Sequence, residues 1–102
     1  MIGLYRERKI GVVVPAHNEE DFLGGVLRSM PSYVDAVFVV DDGSTDGTGR
    51  VLEECRSKDP RIKPVVHKEN HGVGASIGDG YRQALEGGMD VVAVMAGDGQ
   101  MD

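Results

Sequence analysis

Four short, mainly apolar runs divide the chain at regular intervals, and each predicts a β-strand. They are residues 10–14 (IGVVV), 36–40 (AVFVV), 62–66 and 90–96. The first two runs are apolar or glycine throughout, which is typical of parallel strands with both faces covered. We expect the first strand to break at Pro15, because proline has no backbone N–H to donate.

Between these runs, apolar residues recur at helical spacing. The pattern in residues 19–30 predicts an amphipathic helix. Its stripe consists of Phe22, Leu23, Val26, Leu27 and Met30. A second helix is expected to begin near Thr45 or Asp46, which are both suitable N-caps, and to end before Asp59-Pro60. A third should follow the glycine-rich loop at 70–74. Its predicted inward face consists of Val73, Ile77, Tyr81, Ala84 and Leu85.

Strands and helices therefore alternate, which predicts an α/β fold with a parallel sheet and right-handed crossovers. Residues 1–102 show no internal repeat, linker or low-complexity tract, so we expect one domain.

Composition excludes several classes of protein. The net charge of −6 argues against a nucleic-acid partner, which requires a basic surface. No segment approaches the ~20 apolar residues of a membrane span. The single cysteine, Cys55, excludes an internal disulfide and a cysteine metal cluster. The 15 glycines concentrate at predicted turns and helix starts, which favours tight loops near a ligand.

Candidate chemistry lies at the predicted strand ends, where parallel sheets bind ligands. The segments that follow the strands are residues 15–20 (PAHNEE), 41–46 (DDGSTD), 67–72 (HKENHG) and 97–100 (GDGQ). Carboxylates gathered at one edge repel each other unless a cation is present. Asp, Gln and backbone oxygens suit Mg²⁺ or Mn²⁺ shared with phosphates.

Four sequence blocks occur in an order typical of one protein family. They are VVVPAHNEE, VVDDGSTDGT, NHGVGASIGDGYRQAL and VVAVMAGDGQMD, and together they cover essentially the whole chain. In this order they resemble the family 2 glycosyltransferases with the GT-A fold, and within that family the polyprenyl-phosphate (dolichol-phosphate) sugar transferases. The resemblance implies a Rossmann-like sheet in the order 3-2-1-4 with helices on both faces. Such transferases are longer, so the chain would be their donor-nucleotide half, cut after the fourth strand.

The resemblance also implies residue roles. The nucleotide-sugar site would include Pro15, His17, Glu19, Val40, Asp41, Asp42, Gly72 and Gly74. Within it, Asp41 or Asp42 would hold the base or ribose hydroxyls. Asp98, with Gln100 close by, would bind a divalent metal, Mg²⁺ or Mn²⁺, that bridges the diphosphate. The family commonly has a second Asp two residues earlier, where this chain has Ala96. No catalytic residue is assigned.

By the same resemblance, the complete enzyme would transfer a sugar from a nucleotide-sugar donor to a polyprenyl-phosphate acceptor. We expect it to be cytoplasmic and peripheral at the cytoplasmic membrane face. The simplest interpretation of His67, Asp79 and Arg61 is exposed surface.

Two alternatives remain open. GVGASIG (72–78) suggests a dinucleotide-binding oxidoreductase, although the usual G-x-G-x-x-G follows the first strand rather than the third. The other alternative is a non-catalytic interaction domain that keeps this half fold. A nucleoside diphosphate titration with Mn²⁺ separates all three classes.

The fourth predicted strand lacks the residues that protect a sheet edge. DVVAVMA contains no Pro and no Lys, and its single charge, Asp90, stands at the start. Because long apolar edges pair with other chains, we expect self-association through this strand.

Overall fold

The computed structural model describes residues 8–96, in which four strands alternate with three helices. The elements are β1 (Ile10–Ala16), α1 (Leu23–Arg28), β2 (Ala36–Asp42), α2 (Thr48–Lys58), β3 (Ile62–His67), α3 (Val73–Glu86) and β4 (Val91–Val94). All strand pairs are parallel, in the order β3-β2-β1-β4. The predicted α/β class and strand order are confirmed.

Helices cover both faces of the sheet. On one face, α1 and α2 pack against alternate residues of the central strands, among them Val12, Val14 and Val39. On the other face, Val13 and Phe38 meet Ala84 of α3. This double coverage explains why β1 and β2 are apolar on both faces, and each fully buried valine contributes about 1.5–3 kcal/mol.

Pro15 lies within β1, so the predicted break there is wrong. It pairs in register with Val40 of β2. The Val13 carbonyl accepts the Met95 N–H at 2.9 Å, so alternate residues of β1 turn their backbone polar groups toward β4. The backbone nitrogen of Pro15 faces the same side as Val13, toward β4. The last pair between the two strands is Val13 with Val94, so the missing N–H of Pro15 removes no bond of the sheet.

The first two helices begin later than predicted. Residues 19–22 form a turn in which the Phe22 N–H donates to the Glu19 carbonyl at 3.1 Å, and α1 proper starts at Leu23. In α2 the N-cap position belongs to Gly47 rather than to Thr45 or Asp46. Asp46 still stabilises the helix start, because its Oδ1 accepts the Thr48 N–H at 2.9 Å.

The face of the third helix that packs on the sheet differs from the predicted one except at Ala84, which is buried as predicted. Its buried residues are the small Ser76, Gly80 and Ala84. Three of the five predicted inward residues are exposed instead: Val73 (66%), Tyr81 (47%) and Leu85 (53%). Small side chains allow the helix to lie close to β1, and this close packing leaves the larger residues outside.

Arg61 is half-buried and not a solvated surface residue. Its guanidinium donates to the Pro31 carbonyl at 2.7 Å and to the Val34 carbonyl at 3.0 Å. It also pairs with Asp59 at 2.8 Å. Arg61 therefore fastens the segment between α1 and β2 to the start of β3. Within residues 8–96, no helix is long and apolar enough to cross a membrane.

Candidate functional site

A cleft of about 330 Å³ lies at the carboxyl ends of β1 and β2, beside the N-terminus of α3. Its lining consists of Pro15, Ala16, His17, Glu19, Asp42, Asn70, Gly72, Val73, Ser76 and Ala96. Five of the predicted site residues therefore meet in one place: Pro15, His17, Glu19, Asp42 and Gly72. The lining does not include Val40, Asp41 or Gly74. Val40 is buried in the sheet, and Gly74 lies in the first turn of α3.

Asp42 is the buried anion of this cleft, with 3% of its surface exposed. Its Oδ1 accepts the His71 N–H at 2.9 Å and His67 Nδ1 at 2.8 Å, and its Oδ2 accepts the Gly72 N–H at 2.8 Å. Burial on its own raises the pKa of Asp42. The hydrogen bonds from His71, His67 and Gly72 outweigh burial and lower the pKa to about 2. Asp42 is therefore a carboxylate that holds the β3–α3 loop to the end of β2.

Asp41 points to the other side of β2, because successive strand residues alternate between the faces of a sheet. Its Oδ1 accepts the Ser44 N–H at 3.2 Å, and its Oδ2 lies close to Gly49 at the start of α2. The sequence left the choice between Asp41 and Asp42 open, and the structure brings Asp42 to the cleft.

His17 joins the β1 end to both neighbouring loops. Its Nδ1 lies 2.7 Å from the Asp42 carbonyl, so this nitrogen carries the proton and donates. Its Nε2 can then accept from the Asn70 side-chain amide at 3.3 Å. The ring is thereby oriented at the mouth of the cleft.

Asn18 fixes the two loops that flank this mouth. It adopts a positive φ of 54°. Its Oδ1 accepts the backbone N–H groups of Thr45 at 2.8 Å and Asp46 at 3.3 Å. The Asn18 N–H donates to Ser44 Oγ at 3.0 Å. The PAHNEE segment (15–20) and the DDGSTD segment (41–46) are therefore joined by hydrogen bonds into one unit.

Gly43 brings the β2 end into contact with the β3–α3 loop. Its φ is +67°, and a Cβ at this position would lie 2.5 Å from the Asn70 nitrogen. Such a distance is too short for any side chain, so glycine is required for both its conformation and its size.

The prediction that His67 and Asp79 are exposed surface is wrong. The His67 side chain is 11% exposed and lies between two carboxylates, Asp42 at 2.8 Å and Asp79 at 2.7 Å. Asp79 also accepts from Arg82 at 2.7 Å. The position of His67 at a strand end was the available sequence signal, but its partner on α3 could not be inferred from spacing.

Ser76 was also missed by the sequence interpretation. It is fully buried, it lines the cleft, and its Oγ has no hydrogen-bond partner among residues 8–96. Buried hydroxyls are normally paired. The Ser76 hydroxyl is therefore a polar group of the cleft lining that residues 8–96 leave unpaired.

A second cleft, of about 560 Å³, lies between α1 and α2. Residues such as Gly24, Val51 and Cys55 line it, and its lining includes none of the predicted site residues. The predicted metal ligands, Asp98 and Gln100, lie outside the described residues. Within residues 8–96, no group of three or more His, Cys, Asp or Glu could hold a metal ion.

Comparison with known proteins identifies the family. Residues 11–102 match Glycosyl transferase family 2, and the chain belongs to that family. This membership sets aside the oxidoreductase interpretation. In agreement, the glycine-rich segment follows β3 and not β1.

Two curated relatives are similar to most of the chain. One is the UDP-N-acetylglucosamine–dolichyl-phosphate N-acetylglucosaminyltransferase of Methanococcus voltae, with 27% identity over 92% of this chain. The other is the polyprenol monophosphomannose synthase of Mycolicibacterium smegmatis, with 36% identity over 86% of this chain. The chain spans 43% and 34% of their respective lengths.

A solved structure shares the fold. It is residues 1–349 of S. aureus TarS in complex with UDP, with a TM-score of 0.71 and 28% identity. The match covers 88% of this chain and 27% of that one.

Proposed function

We propose that the cleft at the strand ends binds the nucleoside part of a nucleotide-sugar, and that this chain is the donor-binding part of a glycosyltransferase. The observation that carries the proposal is the unpaired, buried Ser76 hydroxyl beside the buried Asp42 carboxylate. Both groups line one cleft at the ligand-binding edge of a parallel sheet. The family membership and the UDP complex of TarS support a nucleotide as the ligand.

The cleft offers complementary groups to a base and a ribose. Pro15 and Val73 supply apolar wall. Asp42 is committed to three hydrogen bonds, and since each carboxylate oxygen has two lone pairs, Oδ2 can accept one more from a ribose hydroxyl or a base N–H. The Ser76 hydroxyl can either donate or accept. Gly72, with φ +96° and open space around it, allows a ligand to approach the backbone.

A divalent cation, Mg²⁺ or Mn²⁺, fits the proposal through residues that follow β4. Ala96 lines the cleft, and Asp98 and Gln100 come two and four residues later in the sequence. Their carboxylate and amide oxygens are hard ligands suited to such ions. When bound, the ion would neutralise charge on the departing nucleoside diphosphate.

For the complete enzyme we propose a polyprenyl phosphate as the acceptor. The two curated relatives carry dolichyl phosphate and polyprenol in their names. An acceptor phosphate oxygen would attack the anomeric carbon as the bond to the nucleoside diphosphate breaks. A phosphate is already ionised near neutral pH, so no strong base is required of the protein. Such an acceptor would place the complete enzyme at the cytoplasmic membrane face.

We also propose that a polypeptide of these 102 residues pairs with a second copy along β4. Among the described residues, β4 pairs with β1 and has no partner on its other side. Its Val91 and Val94 side chains are 42% and 40% exposed. The opposite edge, β3, carries Lys63 and Pro64, which discourage pairing.

Calorimetric titration with nucleotides tests the donor-binding proposal. We expect UDP or GDP to bind with Mn²⁺ present and NAD⁺ not to bind. Ser76→Ala should weaken nucleotide binding about tenfold by removing one buried hydrogen bond. The matched control is Ala75→Ser, one position away on the exposed side of α3, which should bind as the unmodified chain does. Absence of nucleotide binding would favour the interaction-domain alternative.

A further inference from the structure

His67 bridges two carboxylates through both of its ring nitrogens. Nδ1 lies 2.8 Å from Asp42 Oδ1, and Nε2 lies 2.7 Å from Asp79 Oδ2. The side chain is largely buried at the end of β3, between β2 and α3. This arrangement joins three elements of the fold through one ring.

The bridge requires a charged imidazole. A neutral imidazole has one N–H donor, and an ionised carboxylate can only accept, so both nitrogens are satisfied only in the imidazolium form. The hydrogen bond to Asp42 raises the pKa of His67 above its ordinary value of 6.5, burial opposes the rise, and the hydrogen bond to Asp79 adds to it. Arg82 pairs with the far side of Asp79 at 2.7 Å. The result is a row of alternating charge from Asp42 to Arg82.

At its Asp42 end, this row of charges is hydrogen-bonded to the His71–Gly72 backbone of the loop that lines the cleft. Asp42 Oδ1 accepts from both His67 and the His71 N–H, and Oδ2 accepts the Gly72 N–H. The orientation of the carboxylate therefore depends on His67, and the position of the His71–Gly72 backbone depends on the carboxylate. Gly72 is itself part of the cleft lining.

We propose that His67 is a positioning residue: as an imidazolium it holds Asp42 and the His71–Gly72 backbone in the geometry that binds the nucleotide, and binding weakens when it loses its proton. This inference rests on the nucleotide-binding function proposed above. His67 does not touch the ligand in this scheme. It acts through Asp42.

The direction of the pH dependence follows from the charges that face the ring. These are Asp42 of β2, Asp79 and, behind it, Arg82 of α3, with the His71 ring edge-on at a centroid distance of 5.0 Å. A group whose pKa is raised on folding contributes fully below its ordinary pKa and loses that contribution as the pH rises through the raised value. By the same kind of linkage, binding that requires the protonated ring is strongest below the pKa of His67 and weakens as the pH rises through it. Nucleotide affinity should therefore be constant near about pH 6 and fall at alkaline pH.

Calorimetry with UDP and GDP, each with Mn²⁺, tests the inference from about pH 6 to about pH 9. At the lower pH, His67→Gln should bind nucleotide about tenfold more weakly, because one charge-assisted hydrogen bond is lost. The pH profile, meaning nucleotide affinity as a function of pH, should be flat in this variant. Asp79→Asn should keep the profile but move its midpoint to lower pH, since one of the two carboxylates that favour the imidazolium is gone. A purely structural role of His67 would leave that midpoint unmoved.

Two control variants separate other sources of charge. Lys68→Gln removes a positive charge from the exposed neighbour of His67, and it should leave the affinity and the profile unchanged. His71→Gln removes the nearby ring while keeping its backbone N–H, and the profile should persist. The assignment to His67 would be overturned if Lys68→Gln lost as much nucleotide affinity as His67→Gln does. It would also be overturned if the pH dependence of the affinity vanished in His71→Gln.

Nitrogen NMR of the histidine rings decides the inference even without nucleotide binding. At about pH 7 both His67 nitrogens should carry protons, and deprotonation at higher pH should lower the protection of the His71 and Gly72 amides relative to their intrinsic, hydroxide-catalysed exchange rates. A singly protonated ring at neutral pH, or exchange that is independent of its titration, would overturn the positioning role. If the chain binds neither UDP nor GDP but shows the expected ring spectra, the nucleotide-binding proposal fails and the structural linkage stands.

Discussion

Gly80 of α3 lies directly against Val13 of β1, with no room between them for a methyl group. This contact sets the distance between α3 and the sheet. It also places Ser76, one helical turn earlier, in the lining of the cleft. The close packing of a glycine therefore decides which residues of α3 line the cleft.

Gly80→Ala should destabilise the fold by about 1–3 kcal/mol, because its methyl group would overpack the contact with Val13. Chemical denaturation measures the free energy of unfolding. Gly78→Ala is the matched control, since it lies in the same helix with open space around it. It should stabilise by about 0.5–1 kcal/mol through helix propensity. Equal effects of the two variants would contradict the close packing.

Gly43→Ala should weaken nucleotide affinity as well as stability, because its Cβ would displace the backbone at Glu69 and Asn70. Gly88→Ala provides the control: it also has a positive φ, +84°, but faces open space. The control should lose about 1 kcal/mol of stability from backbone strain and keep its affinity. Unchanged affinity in Gly43→Ala would show that the loop contact does not shape the cleft.

Asp42→Asn should weaken nucleotide binding about tenfold even without metal, because one charged acceptor of the cleft is lost. Asp41→Asn is the matched control, since that side chain lies on the other side of β2. Calorimetry in the presence of a chelator compares the two. Equal affinities for both variants would remove Asp42 from the nucleotide site.

Asp42 should also contribute to acid stability. Its pKa is lowered from 3.8 to about 2, so the charged form favours folding above pH 3.8 and this contribution disappears as the pH falls through about 2. In Asp42→Asn, unfolding titrations should show a smaller change of stability across this interval than in the unmodified chain. If the free energy of unfolding changed equally with pH in both proteins at low pH, the hydrogen bonds to Asp42 would not stabilise the fold.

Asp98→Asn should weaken Mn²⁺-dependent nucleotide binding about tenfold, the scale of one altered ligand group. Calorimetry with and without Mn²⁺ separates the metal-dependent part of the affinity. The affinity measured with a chelator should stay the same in this variant. An unchanged Mn²⁺-dependent affinity would contradict the metal assignment.

Val94→Lys should weaken self-association of the 102-residue polypeptide, because a lysine on an edge strand opposes pairing. Light scattering over a range of concentrations measures the association. Val66→Lys is the matched control on β3, the opposite edge strand, and should associate as before. A monodisperse monomer at high concentration in the unmodified polypeptide would refute pairing along β4.

Much of the fold follows from the sequence because its signals are local. Apolar runs and helical stripes predicted the alternation of elements, and the crossover rule, together with the family resemblance, predicted the strand order. Element ends were less accurate: Pro15 continues β1, because its lost N–H falls where β4 has ended. The predicted packed face of α3 was right at Ala84 and wrong at Val73, Tyr81 and Leu85. Apolar periodicity ranks residues by hydrophobicity and not by how closely a helix can approach a sheet.

The sequence by itself determined which segments meet at the carboxyl edge of the sheet, since parallel strands bring their following loops together. The tertiary structure alone decided how the side chains in those loops divide. The direction of each side chain on β2 brought Asp42 to the cleft and turned Asp41 away from it. The packing of α3 buried Ser76 and placed Asp79 beside His67. These outcomes depend on distances between residues far apart in the chain, which no local pattern specifies.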